Sequence, residues 1–486
     1  NIGRRHLPSG VAFPNGPTWG DKVFIPLSWV IGGESGVGKG WLMIMQCLAA
    51  GRGVSLPSMS TAGTKLMLRV STAYARVRRQ FNKPIGKIEG VEEPLARIAE
   101  AAYVSESGRA VTAAMVTREN RPLVLSSILK YQLTEYSRRA VNDAMDIHGG
   151  KAVIDGPSNY LQSTYQIIPV AITVEGANII TRSLIVIGQA VLRSHPYFGK
   201  ELRALESNGG RMDRIDFDRA LAGHAVHFMK NVIRSLIHGI SFGAFARSAH
   251  GPRSTRRWYR QLSRYTASFA FLADFLIIYY RGALKKKQKI GGRVTDALAD
   301  LYLLACVLKR FEDDGALKED YPIVELCLRN GLARIESSFT SIIDNQPSFF
   351  VRLLLRIVVL PFGRRQKPAS DRLATTVVSS LLVPSNLRDR LTRYIYIPEG
   401  TNDSVGLLEL AMKKSVEAES ALIAVDKAVR SGNLSRYHGS NWLKDALDLG
   451  VVTDGEYKQL VEVESLVEKA IAVDHFDPSE ITGLKH

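Results

Sequence analysis

Apolar residues recur at helical spacing between Gly40 and Met145, and this period limits the fold of the chain more than any other feature of its sequence. The residues that carry the period are Leu42, Met45, Leu48, Ala49, Leu66, Val70, Ala73, Val77, Leu95, Ile98, Ala99 and Ala102. A further run begins near Pro122, a residue favoured in the first turn of a helix, and stops at Gly149-Gly150, a helix-ending signal. Long helices joined by short connections predict an antiparallel helical bundle.

Residues 1–34, which precede this bundle, carry strand signals instead. Val11-Ala12-Phe13 and Lys22-Val23-Phe24-Ile25-Pro26 are short β-prone runs in a region interrupted by Pro, Gly and Asn. We expect them to be the last strands of a sheet whose earlier part is absent. The sequence also begins at Asn1 rather than at Met, so we expect the true amino terminus to be missing. The first predicted domain is therefore residues 1–34, the partial end of a β-domain.

A second change of pattern follows Ser194. His195-Pro196 and the polar run 206–210 form a seam, and helical patterns return at 297–310 and 405–429. The predicted domains are thus a helical bundle over 35–195 and a helical extension over 196–486. The predicted fold class is mainly α, with a short β remnant at the amino end and an additional helical tail.

The cysteines argue against a disulfide framework and against structural zinc. Cys47, Cys306 and Cys327 are odd in number and widely spaced, which favours a reducing compartment such as the cytoplasm. No CxxC pair occurs. His224 and His227 share a helical face, but no acidic third ligand is evident nearby in the sequence. We therefore expect no metal site.

The formal net charge of +17 favours an anionic partner, whether nucleic acid, membrane headgroups or a phosphorylated ligand such as coenzyme A. No stretch reaches the roughly 20 apolar residues of a membrane-spanning helix. We interpret 266–280 and 349–362 as core helices. The second can also lie at a membrane surface, because Arg352 and Arg356 share a face. The basic clusters 285–287 and 364–365 flank these two runs. Peripheral membrane contact is therefore a less favoured alternative.

The stretch 33–40 nearly spells a phosphate-binding loop at the start of a helix. Gly40 stands where that loop needs a Ser or Thr hydroxyl for magnesium, and long helices follow instead of alternating strands and helices. We favour a glycine-rich turn, and a nucleotide-binding function for this loop is a weak alternative.

Six short motifs resemble acyl-CoA dehydrogenases in order and spacing. They are Lys22–Pro26 with Ile31-Gly32-Gly33, Gly38-Lys39-Gly40-Trp41, Arg52 within Ala50–Val54, Arg78-Arg79-Gln80-Phe81-Asn82-Lys83-Pro84-Ile85, Asp143–Gly150, and Val174-Glu175-Gly176. Leu308–Asp314 and His475-Phe476-Asp477-Pro478 resemble the carboxyl-terminal extension of the large bacterial fatty acyl-CoA dehydrogenases. The chain is thereby identified as a member of that family that lacks the amino-terminal part.

The resemblance implies a role for each matching residue. Glu175 would be the base that removes the α-proton of a fatty acyl thioester, and the apolar residues around this lone carboxylate should raise its pKa. Arg52 and Gly176 would bind substrate, and a structural ion pair of Arg52 is an equal alternative. The residues implied in FAD binding, in the family often that of a neighbouring subunit, are Arg78, Gln80, Phe81, Gly149 and Gly150. His148 would be a turn residue beside the cofactor.

Three residues depart from the family pattern. Asn82 replaces a glycine, Asp146 replaces a glutamine, and Ala177 stands where Thr or Ser is usual. Each weakens a flavin contact without changing the base. Asp146 would repel a pyrophosphate, so that contact is expected to be lost or rearranged.

The resemblance implies α,β-dehydrogenation of fatty acyl-CoA to trans-2-enoyl-CoA in β-oxidation, with FAD as cofactor. Electrons would pass to an electron-transfer flavoprotein or a similar acceptor, and the protein would be a homo-oligomer that binds no nucleic acid. Its location would be cytoplasmic, with peripheral contact at the inner membrane as the alternative. A rival function is a non-catalytic scaffold that binds lipid or a partner protein.

Overall fold

The structure is a computed structural model that describes residues 1–8, 15–117, 123–189, 195–206, 211–246, 252–435 and 441–483. Helices dominate this part of the chain. The predicted mainly-α class is confirmed. Pro122 and the run 11–13, both used in the prediction, lie outside the described residues.

The first seven helices cover the predicted bundle. They are α1 (Gly40–Val77), α2 (Glu89–Thr117), α3 (Leu123–His148), α4 (Gly150–Val153), α5 (Gln162–Thr173), α6 (Asn178–Ile180) and α7 (Val186–Gln189). A π-helical turn, Thr181–Ile185, joins α6 to α7. The two apolar runs at 42–49 and 66–77 belong to one helix, because α1 continues through Pro57.

Thirteen further helices lie in the described part of the predicted extension. They are α8 (Phe198–Glu206), α9 (Arg211–Ile240), α10 (Arg253–Tyr280), α11 (Gln288–Asp313), α12 (Tyr321–Asp344), α13 (Phe349–Val359), α14 (Asp371–Leu381), α15 (Asn386–Leu391), α16 (Ser404–Glu417), α17 (Glu419–Arg430), α18 (Trp442–Asp448), α19 (Asp454–Ile471) and α20 (Pro478–Gly483). The helical patterns at 297–310 and 405–429 lie in α11 and in α16 with α17.

The predicted strand over Lys22–Pro26 is wrong. These residues are irregular, and Val23, Phe24 and Ile25 are exposed. A strand needs a neighbour to pair its backbone N–H and C=O groups, and this segment has none in the described chain. The strands that do form are β1 (Arg79–Gln80) and β2 (Lys83–Pro84), an antiparallel hairpin after α1. Two isolated bridges, Ile2 with Thr18 and His6 with Asn15, lie near the amino end.

The chain divides into two compact units. The first comprises Asn1–Thr61, Tyr103–Glu135 and Pro169–Ala369, and the second comprises Ala62–Ala102, Tyr136–Ile168 and Ser370–His486. In the first unit, α11 and α12 pack closely around Leu304, Leu308 and Leu328. A Cβ added at Gly331 would lie 2.6 Å from Leu304 Cδ2, so glycine permits this approach.

The second unit has an apolar cluster formed by α17 to α19, which includes Val425, Trp442 and Leu460. A buried arginine joins α15 to the last part of α1 in the same unit. Arg388 donates to both carboxylate oxygens of Glu409, at 2.8 and 2.5 Å, and to the backbone oxygen of Arg69 at 2.8 Å. Arg69 also pairs with Asp389 at 2.6 Å, so several charged contacts join the extension to α1 inside this unit.

The segment Arg253–Lys286 is long and apolar enough to cross a membrane, and 44% of its most apolar window is buried in the protein. The helices Gln162–Thr173 and Asn178–Gly188 pass the same test as a bent pair. Buried core helices also pass it. α10 buries Phe271, Leu272 and Leu276, as predicted for a core helix.

The interpretation of 349–362 as a core helix is wrong for one face. α13 buries Leu355 and Val359, whereas Phe349 and Phe350 are 63% and 79% exposed. This second face is thus largely exposed in the described chain.

Candidate functional site

The turn between α5 and α6 holds Glu175 in an unusual backbone conformation. Its φ angle is +53°, and that of Gly176 is +96°. A left-handed backbone costs a residue other than glycine roughly 1–2 kcal/mol. Such a conformation persists only where surrounding contacts hold it.

Lys130 of α3 supplies the contacts that hold this turn. Its side chain is fully buried, and Nζ donates to Gly176 O at 2.9 Å, Ile172 O at 3.3 Å and Asn178 Oδ1 at 2.8 Å. Ile172 lies in the last turn of α5, and Asn178 begins α6. One ammonium group therefore ties the helix before Glu175 to the helix after it.

The expectation that Glu175 is a lone carboxylate is wrong. Arg52 of α1 is 4% exposed, and its pKa is lowered by burial and raised by the charge of Glu175. The pKa of Lys130 falls to about 8, chiefly because burial disfavours its charge and secondly because Arg52 repels it. The charge of Glu175 in turn raises the pKa of Lys130. Two buried cations thus lie close enough to Glu175 to interact with its charge.

The carboxylate of Glu175 keeps one oxygen free of protein donors. Oε2 is buried and has no hydrogen-bond partner among the described residues. A Cβ added at Gly51 would lie 3.6 Å from Oε1, and one at Gly176 would lie 3.5 Å from Arg52 Nη2. The two glycines therefore leave space around the acid. An ionised carboxylate with a free oxygen can accept a proton from a bound molecule.

The hairpin β1–β2 carries a second unusual turn. Phe81 and Asn82 have φ angles of +50° and +57°. A two-residue hairpin of the type I′ form requires positive φ at both positions, and Asn tolerates it better than Phe. The Phe81 side chain is 88% exposed. The turn therefore presents an aromatic ring to its surroundings at a cost in backbone strain.

The three arginines at the end of α1 have different environments. Arg76 is buried and pairs with Glu419 at 3.1 Å, and Arg79 pairs with Asp426 at 2.7 Å. Both guanidinium groups are therefore engaged by acids of the extension. The guanidinium of Arg78 is half-buried and has no hydrogen-bond or ion-pair partner in the described chain. It remains available to an anionic group.

The end of α3 presents two open glycines. Gly149 has φ +57°, and a Cβ added at either Gly149 or Gly150 would meet nothing within 4 Å. His148 before them is buried and stacked on Tyr74 with ring centroids 4.2 Å apart. Burial lowers the pKa of His148 to about 4, so it is neutral at physiological pH.

The structure places the predicted site residues in two groups. Arg52, Glu175 and Gly176 lie together in the first unit. Arg78, Gln80, Phe81, Gly149 and Gly150 belong to the second unit. The Gly149 amide donates to Met145 O at 2.9 Å. An unpaired arginine, an exposed aromatic ring and the Gly150 amide suit a ligand with a pyrophosphate and a ring system, as FAD has.

The expectation that His224 and His227 have no acidic neighbour is wrong. His224 Nδ1 lies 2.8 Å from Glu201 Oε1, and His227 Nε2 lies 3.7 Å from Asp274 Oδ2. Among the described residues, His195, His227 and Asp274 form a group close enough to hold a metal ion. The sequence missed it because Asp274 lies on α10, far along the chain from α9.

The hydrogen bonds of His195 argue against metal binding by this group. Its Nδ1 accepts from the backbone N–H groups of Tyr197 and Phe198, at 3.2 and 2.8 Å. A neutral His195 then carries its proton on Nε2 and donates it to Asp274 Oδ1 at 2.8 Å. That nitrogen has no lone pair for a metal, so the group is a hydrogen-bond network.

Two residues of these sites were not predicted from the sequence. Lys130 could have been identified from the sequence, because it shares a helical face with the small polar residues Ser127, Thr134 and Ser137, and all of them are buried. A lysine on such a face requires acceptors inside the protein. The sequence around Asp426 does not indicate its role, because its partner Arg79 is 347 positions away.

Comparisons with known proteins agree with these features. The family model described as acyl-CoA dehydrogenase, C-terminal, bacterial type, matches residues 192–476, and the model described as acyl-CoA dehydrogenase, C-terminal domain, matches 38–189. The probable acyl-CoA dehydrogenase FadE10 of Mycobacterium tuberculosis (strain ATCC 25618 / H37Rv) is 25% identical over 359 residues, which are 70% of this chain and 52% of that protein. The chain thus spans about half the length of such relatives.

Two further matches give less information, because one covers a short part of the chain and the other has low sequence identity. Protein HemX of Proteus mirabilis is 53% identical over 64 residues, which are 13% of this chain and 38% of that protein. The crystal structure of an acyl-CoA dehydrogenase complexed with FAD from Bacillus anthracis matches with a TM-score of 0.54 and 19% identity, over 71% of this chain and 57% of that one. This structural likeness concerns the fold.

Proposed function

Since the chain belongs to the acyl-CoA dehydrogenase family, by its match to the carboxyl-terminal domain of bacterial type, we propose that it carries the catalytic base of an FAD-dependent fatty acyl-CoA dehydrogenase. The product would be a trans-2-enoyl-CoA, as in fatty acid β-oxidation. One observation supports this most strongly: the half-buried carboxylate of Glu175, flanked by buried cations, has an oxygen free of protein donors.

The residues of the first unit define what this chain contributes to the reaction. Glu175 accepts the α-proton, and Lys130 keeps the turn that presents it in place. Arg52 is buried beside Glu175 and interacts with its charge. Arg52 and Gly176 would also line the substrate side of this turn. FAD, when bound, supplies the acceptor for the β-hydrogen.

The second unit would bind the cofactor. Arg78 would pair with the pyrophosphate, Gln80 would donate to it, and Phe81 would pack on a ring of the dinucleotide. Gly149 and Gly150 would let a phosphate approach closely, since no side chain blocks them, and Gly150 would donate its amide to it. Asp146 is exposed, so it can turn away from a phosphate. The protein would pass electrons to an electron-transfer flavoprotein or a similar acceptor, and it would assemble as a homo-oligomer.

Substitution of the base in the full-length protein tests this function. We expect Glu175→Gln to lower turnover of fatty acyl-CoA by at least about a hundredfold, while bound FAD, measured by its absorbance, is unchanged. Glu399→Gln, which removes an exposed carboxylate elsewhere, is the control. Undiminished turnover in Glu175→Gln would refute the base, and a protein that never binds FAD would favour the scaffold function.

We also propose that the protein contacts an anionic membrane surface through α13 from the cytoplasmic side. The exposed face of this helix includes Phe350, Leu354 and Ile357. Basic residues lie at both of its ends. Lys287 lies over the ring of Tyr280, whose hydroxyl donates to Gln346 beside the start of α13, and Arg365 lies over Phe362 just after its end.

An apolar helix face bracketed by cations suits anionic lipid better than an apolar protein partner. Arg356 is partly neutralised by Asp344, at 2.6 Å, so the lysines at 285–287 and the arginines at 364–365 carry the electrostatic contribution. We expect sedimentation of the full-length protein with phosphatidylglycerol vesicles but not with phosphatidylcholine vesicles. Phe350→Ser should weaken this binding, and equal binding of the variant would contradict the proposed surface.

A further inference from the structure

The carboxyl-terminal extension contacts the hairpin β1–β2 through one ion pair. Arg79 Nη2 lies 2.7 Å from both carboxylate oxygens of Asp426, which lies in α17. The same nitrogen donates to the backbone oxygen of Asn82 in the hairpin turn, at 2.8 Å. One guanidinium thus joins the extension to the strained turn that displays Phe81.

We propose that Asp426 is a positioning residue for the cofactor hairpin, fixing its turn and selecting Arg78 as the arginine that faces the cofactor. This inference rests on the proposed function, in which the hairpin binds FAD. It gives the extension a role in the cofactor site, since α17 belongs to the extension and the hairpin to the bundle.

The hairpin needs such a brace because it is small. Each strand has two residues, and two-stranded hairpins are marginally stable by themselves. Phe81 adds backbone strain and buries almost none of its side chain. The pair of Arg79 and Asp426 is well shielded, with side chains 20% and 16% exposed, so water screens it less than a surface pair.

Charge complementarity extends around this contact within the second unit. A cleft below the hairpin is lined by basic residues of the bundle and acidic residues of the extension, which are Arg76, Arg79, Lys87, Glu419, Asp426 and Glu464. Arg76 and Lys87 lie 3.1 and 3.8 Å from Glu419. The acids of the extension thus neutralise the cations around Arg78, and Arg78 keeps its charge for an external anion.

The FAD dissociation constant of the full-length protein tests the inference. We expect Asp426→Asn to weaken FAD binding about tenfold, the effect of losing one hydrogen bond to a charged group, and to speed hydrogen exchange of the amides at 79–85. Asp426→Glu keeps the carboxylate and should therefore retain most of the FAD affinity of the wild type. Arg79→Lys, which removes the contact from its other side, should weaken binding like Asp426→Asn.

Glu462→Gln is the matched control, because Glu462 pairs with Lys414 within the extension, at 3.3 Å, and does not touch the hairpin. It should leave both the FAD dissociation constant and the hairpin exchange unchanged. If the wild type binds FAD and Asp426→Asn binds it equally well with unchanged exchange, the inference is overturned and the proposed function stands. If the wild type binds no FAD, the proposed function itself is overturned.

Discussion

The Glu175 turn and the Phe81 hairpin both place a residue other than glycine in a left-handed backbone, but they are held by opposite means. Glu175 is held from inside the protein by Lys130, a fully buried cation that donates to three acceptors around the turn. The Phe81 turn is exposed and is held through Arg79 by Asp426, an acid of the extension.

This difference shows two ways to keep strain at a functional position. A buried brace couples the turn to the stability of the whole protein, because its removal leaves carbonyl oxygens without donors in the interior. A brace beside an exposed turn couples that turn to a neighbouring helix, and its removal costs local order instead. The two turns should therefore respond differently to loss of their charged partners.

The largest effect should follow removal of the buried brace. Lys130→Met leaves Gly176 O and Asn178 Oδ1 without their donor, and we expect a loss of about 1–3 kcal/mol in the free energy of unfolding for each of them. Turnover should fall with it because the Glu175 turn loses its geometry. Urea denaturation of Lys130→Met and of the wild type measures the first effect. A loss below about 1 kcal/mol would mean that other contacts hold the turn.

The pH dependence of stability should show a smaller effect of the same lysine. The pKa of Lys130 is about 8 in the folded protein and 10.5 ordinarily, so between these values the unfolded chain binds more protons. The free energy of unfolding contributed by this group therefore rises with pH through that window. Denaturation midpoints from pH 7 to 10 measure it. Lys130→Arg should remove the rise, and an identical rise in that variant would assign it to another group.

The smallest effect should be found at the exposed turn. Asn82→Gly removes a side chain from a position with φ +57°, and we expect a gain of about 0.5–1 kcal/mol in stability, because glycine adopts this conformation without strain. Thermal denaturation at matched pH gives the value. A loss of stability would show that the Asn82 side chain itself supports the hairpin. The Phe81 turn would then also depend on contacts of its own residues.

Helical regions could be predicted from the sequence because their apolar period is local. α2, α3 and the end at Gly149 follow from residues a few positions apart. The strand predicted at Lys22–Pro26 failed because a strand depends on a partner that the period does not reveal. The division into 1–34, 35–195 and 196–486 stays a prediction.

The candidate site was predicted residue by residue from short motifs, and the missing parts are those set by distant contacts. Glu175 and Arg52 lie 123 positions apart, and their interaction could not be derived from either motif. Lys130 and Asp426 lie outside every motif, yet each holds a turn that a motif supplies. The roles of Arg78, Gln80, Phe81, Gly149 and Gly150 in cofactor binding stay predictions.

Exchange of the substrate α-hydrogen with solvent deuterium tests the central claim most directly, because it follows the proton that Glu175 is proposed to accept. The full-length protein with bound FAD would be mixed in D₂O with a saturated fatty acyl-CoA under anaerobic conditions, and deuterium at the α-carbon followed by mass spectrometry. We predict exchange by the wild type and none by Glu175→Gln at equal FAD content. Equal exchange by both proteins would contradict the assignment of the base.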